Sequence, residues 1–400
     1  MPQKKHRVYL DYASATPVDP KVLKVMRETS ATFANPASLF EEGRKAKEIL
    51  DNARKTVAGV LRASPTEIVF TSGGTEANNL AIFGVVEYFS KINQNKKPHI
   101  IVSSIEHSSV LEAIKKIEKN GAEVSLIKPD SNGAVDPKKV RDALKKNTAL
   151  VSVMYANNEI GTIEPIKEIT KVIRRFKKAK SCQLKTKSYP SSFPIFHTDA
   201  AQAANYLSLD VFKLGVDLMT LDGSKIYGPK GVGALFVKRN ISIIPQIVGG
   251  GQENNLRSGT ENLSVIAGFA KALVIVEKTK AKESKRLETL RDYFVGKLSK
   301  LPKASINGSL GNRLPNNVSV CVENLDAEFA VFQLDQRGIA VSSASTCMNL
   351  KEDSYSYVIE EIGKAGCSRS SLRFSLGRGT SKKDIDHCLK ALFQILLKEL

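Results

Sequence analysis

The sequence has no tryptophan, and none of its five cysteines forms a C-x-x-C pair. No apolar run approaches the roughly 20 residues that a membrane-spanning helix needs, so no membrane partner is expected. Residues 1–7 are basic, but no apolar signal-peptide core follows them, which points to a cytoplasmic protein. The cysteines (Cys182, Cys321, Cys347, Cys367 and Cys388) are odd in number. Their spacing indicates neither a disulfide framework nor a metal site. A reducing compartment follows, in which a functional cysteine would act as a single reactive thiol. Acidic residues are also scarce, at 41 against 60 lysines and arginines, a net charge of +19. Such a charge suits an acidic partner or nucleic acid. However, the basic residues are spread along the chain, with one dense cluster at 171–187, and no nucleic-acid motif accompanies them. They read as solvated faces, with no nucleic acid bound.

A chain of 400 residues exceeds one small core. Short β-branched runs at 67–70, 99–102, 150–154, 195–197, 216–221 and 233–237 alternate with amphipathic stretches such as 110–119. This alternation predicts an α/β fold with a mainly parallel sheet between helices. A long amphipathic helix, with room for a break, is expected over 265–300. A smaller α+β unit follows, with strands near 318–322 and Arg373. The boundary falls near residue 262, with the first dozen residues on the second unit: 14–262 against 1–13 and 263–400. The stretch 181–194 (SCQLKTKSYPSSFP) is polar, carries two prolines and reads as a loop or insertion. No internal repeats occur.

The chemistry starts at Lys225, in LDGSKIYGPKG (221–231), directly after an apolar strand. A lysine in a dry, glycine-rich turn favours its neutral amine, the form that makes a Schiff base. Upstream, a strand ends in Thr198-Asp199-Ala200-Ala201-Gln202. Asp, then a strand, then Lys suggests pyridoxal phosphate, with the carboxylate on the pyridinium nitrogen and the amine on the aldehyde. TSGGTE (71–76) lies between a strand and a helix, as a phosphate cup or as an ordinary βα turn. His107 opens a helix and can stack on a ring and move protons, or can simply cap that helix. Asn158, in NNEIG (157–161), is a cofactor-binding amide or part of a polar turn. Arg373, in an alternating strand, is a carboxylate clamp or a surface ion pair. GGGQE (249–253) followed by RSGT (257–260) is a loop reaching a phosphate or a linker. Cys347 sits among small polar residues, which suits a loop presenting a thiol; Cys367 is its only rival.

Together with YLDY (9–12), NPAS (35–38), EHSSV (106–110), SSASTC (342–347) and RFSLGR (373–378), these segments resemble the NifS/IscS-like cysteine desulfurases of the class V aminotransferase superfamily. The likeness runs through nearly the whole chain. It implies the PLP-dependent transferase fold type I, with a large domain and a smaller α+β C-terminal domain. The cofactor it implies is pyridoxal 5'-phosphate. Lys225 would carry the cofactor, and Asp199 would face the ring nitrogen. Asn158 and Gln202 would bond the phenolate oxygen, and His107 would stack on the ring. Gly74, Thr75 and Ser224 would hold the phosphate, with Thr260 contributed across a homodimer. Arg373 and Asn158 would bind the substrate, L-cysteine. Cys347 would take up sulfur as a persulfide and pass it to an acceptor such as an Fe–S scaffold or a tRNA-thiolation protein. Its long loop resembles the long-loop branch.

The chain departs from the family where Ser-Gly-His-Lys is usual: it has Asp222-Gly223-Ser224-Lys225. Asp222 would repel a phosphate if it pointed at one. Gln252 and Phe40 also stand where histidines are usual, and the chain stops at Leu400, short of the tail by which relatives dock a scaffold. Two alternatives stay open. One is a selenocysteine lyase or another class V enzyme. The other is a non-catalytic scaffold that binds an acidic partner.

Overall fold

The structure is a computed structural model that describes residues 7–94, 96–183, 193–343 and 355–399. Its strands, in chain order, are β1 (Val8–Tyr9), β2 (Ile68–Thr71), β3 (His99–Ser103), β4 (Glu123–Ile127), β5 (Thr148–Ser152), β6 (Ile195–Asp199), β7 (Leu218–Asp222) and β8 (Gly233–Val237). These are followed by β9 (Ala304–Ile306), β10 (Asn317–Val322), β11 (Ile339–Ala340), β12 (Ser342–Ser343) and β13 (Ser371–Ser375).

Among the described residues, the main sheet has seven strands in the order β2-β8-β7-β6-β5-β3-β4. Pairing is parallel from β7 through to β4, and only β8 runs antiparallel to its neighbours. Every residue of β3, β5 and β6 is buried. Strands covered by helices on both faces have no solvent side, which is why they read as apolar runs rather than alternating ones. One face packs Ile101, Val151, Phe196 and Met219 into a core with the helix Glu41–Leu61. The other packs Ile100, Leu150, Ile195 and Leu218 against the helix Gly74–Ile92. Strand β8 comes very close to the turn after β2: a side chain on Gly233 would put its Cβ 2.7 Å from the backbone of Gly73.

A four-stranded antiparallel sheet, β12-β13-β10-β9, follows in the chain. Its core holds Val318, Val320, Leu372 and Phe374 with Phe294 and Leu298, and it takes in Val8 and Leu10 from the N-terminal segment. Strand β1 lies parallel to β11. The helix Leu263–Leu298 is continuous over 36 residues, so the room left for a break is not used. Its first half (Leu263, Ile266, Phe269, Leu273) packs in the first core and its second half (Leu287, Phe294, Leu298) in the other.

Contrary to what their spacing suggests, two of the cysteines pair. Cys321 and Cys367 form a disulfide, with Cα atoms 5.5 Å apart and 46 positions between them in the chain. Pairing of β10 with β13 sets Cys321 opposite Ser371, and the turn Ala365–Cys367 enters just before that strand. The β ladder therefore brings the two sulfurs together, and no sequence spacing announces it. Cys367 is not a free thiol, so the cysteines do not point to a reducing compartment. Cys388 is buried and free, and burial pushes its thiol pKa up. Residues 181–183, read as loop, instead complete the helix Ile166–Gln183. No helix of the described residues is long and apolar enough to cross a membrane.

Candidate active site

At the C-terminal ends of the parallel strands a cavity of about 160 Å³ opens, where α/β sheets place their ligands. Gly74, Thr75, His107, Asn158, Asp199, Gln202, Lys225 and Arg373 all line it, as does Asp222. Ser224 is not in the lining, because its hydroxyl turns to Asp222 at 2.5 Å. Thr260 is exposed and lies outside the cavity of this single chain. Cys347 falls outside the described residues.

Each side chain is set by the end of a strand. Asp199 closes β6 and is 7% exposed. Its Oδ1 accepts the Ala201 N–H at 2.9 Å, and its Oδ2 accepts the side-chain amide of Asn78 at 2.8 Å. Asn78 is the residue that sequence reasoning missed. It stands one helical turn after Gly74, so i,i+4 spacing puts it on the face that looks into the cup. The same amide reaches Ser109 Oγ at 2.9 Å, and Ser109 Oγ in turn bonds His107 Nδ1 at 2.9 Å. A polar chain thus runs from His107 to Asp199.

His107 caps the helix Ser108–Lys119, where its Nδ1 accepts the Ser109 N–H at 3.2 Å. Capping and cavity lining coincide in this one residue. With Nδ1 accepting, the neutral ring carries its proton on Nε2. Burial holds its pKa below the ordinary value, opposed by the nearby Asp199 carboxylate. Glu106, next to it, is fully buried, and burial pushes its carboxyl well up. Glu106 Oε1 accepts the Met154 N–H at 2.7 Å, which ties the β3 and β5 ends together.

Lys225 follows β7 in a short turn, and its Nζ donates to the Ser14 carbonyl. Gln202 donates to the Ala13 carbonyl at 2.9 Å. Arg373, on β13, is 2% exposed. Its Nη2 donates to Asp11 Oδ1 at 2.9 Å and to Ser14 Oγ at 2.8 Å. It is therefore not a surface ion pair. Asp222 Oδ2 accepts the Gly74 N–H at 2.8 Å, and its Oδ1 accepts the Ser224 N–H at 2.7 Å. The glycine-rich loop near 249–260 is anchored by Arg257, which pairs with Glu76 at 2.9 Å.

The arrangement suits an amine-activating pyridine cofactor at its ring end. A carboxylate, an amine, an imidazole and three amides (Asn78, Asn158 and Gln202) converge. Asn158 Oδ1 and Arg373 Nε are buried without a hydrogen-bond partner, and buried polar atoms are rarely left so unless a ligand supplies one. Among the described residues no cluster of side chains could hold a metal ion.

The class V aminotransferase family model matches residues 8–388. "Cysteine desulfurase IscS" of Dictyoglomus turgidum is 40% identical over 397 residues, covering 98% of this chain and 95% of that protein. "Cysteine desulfurase IscS 1" of Archaeoglobus fulgidus is 39% identical, covering 96% of this chain and 95% of that protein. Among solved structures, a NifS-like protein is 32% identical with a TM-score of 0.87, covering 98% of this chain and 100% of its own. The NifS-like protein of Rickettsia africae is 30% identical with a TM-score of 0.84, covering 98% and 99%. From its parallel sheet to the residues around its cavity, the chain belongs to the class V aminotransferase family.

Proposed function

We propose that the chain is a pyridoxal-phosphate-dependent cysteine desulfurase, converting L-cysteine to L-alanine and leaving the sulfur as a persulfide on Cys347. The observation that carries this is the convergence of Lys225, Asp199, His107, Asn158, Gln202 and Arg373 on one cavity. Relatives named as cysteine desulfurases, similar over the whole chain, support it.

When bound, the cofactor would take the substrate's amino group at its aldehyde and draw electrons from Cα into its ring. Lys225 Nζ would hold the aldehyde between turnovers and move the Cα proton. The Asp199 carboxylate, already fixed by Asn78 and Ala201, would keep a proton on the ring nitrogen. Asn158 and Gln202 would orient the phenolate side. His107, neutral because it is buried, would move a proton at the departing sulfur. Arg373 would grip the substrate carboxylate with its planar guanidinium. The Cys347 thiolate would then bond to the substrate sulfur. As that bond forms, the Cβ–S bond breaks, and the carbon keeps the electron pair and takes a proton to give alanine. A thiol near its ordinary pKa of about 8.5 is mostly protonated at neutral pH, so the site must favour the thiolate.

Residues 14–262 form the cofactor-binding unit in this reading, with 1–13 and 263–400 as the smaller one. A homodimer would let Thr260, exposed here, reach the partner's cup, and an Fe–S scaffold or similar protein would accept the sulfur. The test is alanine and sulfide production from L-cysteine by wild type, Lys225→Ala and Cys347→Ser. Both variants should be inactive. Wild-type rates in Lys225→Ala would end this reading.

A further inference from the structure

Asp222 fills the anion cup at the start of the helix Gly74–Ile92. Its Oδ2 takes the Gly74 N–H at 2.8 Å, and its Oδ1 takes both the N–H and the hydroxyl of Ser224, at 2.7 and 2.5 Å. A second carboxylate, Glu76, takes the Ser72 N–H at 2.8 Å. Two N–H donors of this turn, those of Gly74 and Ser72, are thus taken by the chain's own carboxylates. Capping the turn Gly223–Lys225 explains only Oδ1. The other oxygen reaches across 148 positions to the helix N-terminus. The fit is close: a Cβ on Gly74 would sit 3.1 Å from that oxygen. A phosphate and a carboxylate repel when they compete for one donor set.

Resting on the pyridoxal-phosphate reading above, we propose that Asp222 is the resident anion of the phosphate cup. The cofactor's phosphate enters only by displacing it, and the chain gains little affinity from that phosphate. The ring and aldehyde end, served by Asp199, Asn158, Gln202 and Lys225, does not depend on these donors. The site therefore discriminates weakly between pyridoxal phosphate and unphosphorylated pyridoxal.

The experiment uses the full chain stripped of cofactor, as wild type, Asp222→Ser and Asp222→Asn. Both replacements keep an oxygen that can cap the turn, and circular dichroism checks their folding. Each protein is titrated with pyridoxal phosphate and with pyridoxal. Binding is read by absorbance, and by borohydride trapping with mass spectrometry of the Lys225 peptide. The expected result is unchanged pyridoxal affinity and a gain for pyridoxal phosphate on the order of ten- to a hundredfold in both variants, the scale of one charge-assisted hydrogen bond regained. Trapping of both aldehydes with the same preference in wild type and variants overturns the role of Asp222 alone. Trapping of neither on Lys225 overturns the cofactor reading and this inference with it.

Discussion

The guanidinium of Arg373 donates to the backbone carbonyl of Asn158 at 3.1 Å, across 215 positions of chain. It ties a strand of the small sheet to the loop that leaves β5 of the large one. With Asp11 and Ser14 holding Nη2, the group is aimed before any substrate arrives. Arg373→Lys is expected to raise KM for L-cysteine on the order of 30- to 100-fold, because a point charge cannot reproduce the paired contact. Steady-state kinetics check this, and an unchanged KM would place the substrate carboxylate elsewhere.

Asn78 fixes Asp199 and links it to His107 through Ser109. Asn78→Ala should speed cofactor loss about tenfold, the cost of one hydrogen bond to a charged group. The measurement is the decay of bound-cofactor absorbance on dilution. No change would mean that the Ala201 N–H holds Asp199 alone.

The Cys321–Cys367 pair removes Cys367 from sulfur chemistry. Cys367→Ser should keep sulfide release close to wild type. Reduction of the pair should lower stability by about 3–4 kcal/mol on loop-closure grounds, measured by urea unfolding with and without reductant. Loss of activity in Cys367→Ser with the fold intact would contradict this.

Glu164 is buried, with Oε2 accepting the Val135 N–H at 2.8 Å. Burial pushes its pKa up to about 8. In the unfolded chain it would ionise near 4.3, so over that interval the folded state holds the extra proton. Its contribution is full below pH 4.3 and is lost as pH rises towards 8. Glu164→Gln, which keeps the accepting oxygen, should flatten this fall by a few kcal/mol. Denaturation midpoints at pH 5 and pH 8 report it, and equal slopes in both proteins would refute it. Neighbouring Glu159, pushed by burial to about 7, contributes in the same direction.

The strands and helices were legible because their signals are local. HIIVS at 99–103 and IFHTD at 195–199 each carry adjacent apolar residues, Ile100 to Val102 and Ile195 with Phe196, beside β-branched or polar ends. Helix starts after β2 and β3 follow turn and capping residues. Strand β4 was not legible: its residues Glu123 to Leu126 are exposed or half-buried at the sheet edge, so the apolar run is missing.

The sequence by itself determined the α/β order, the lysine, aspartate, histidine and arginine set, and the resemblance to a family. All of these depend on residue type and near neighbours. Only the tertiary structure decided that Asn78 holds Asp199, that Cys321 meets Cys367 and that Asp222 turns its second oxygen to Gly74. Those contacts join residues from 46 to 148 positions apart. Local backbone preference cannot encode such a partner; packing of the two sheets and their helices supplies it.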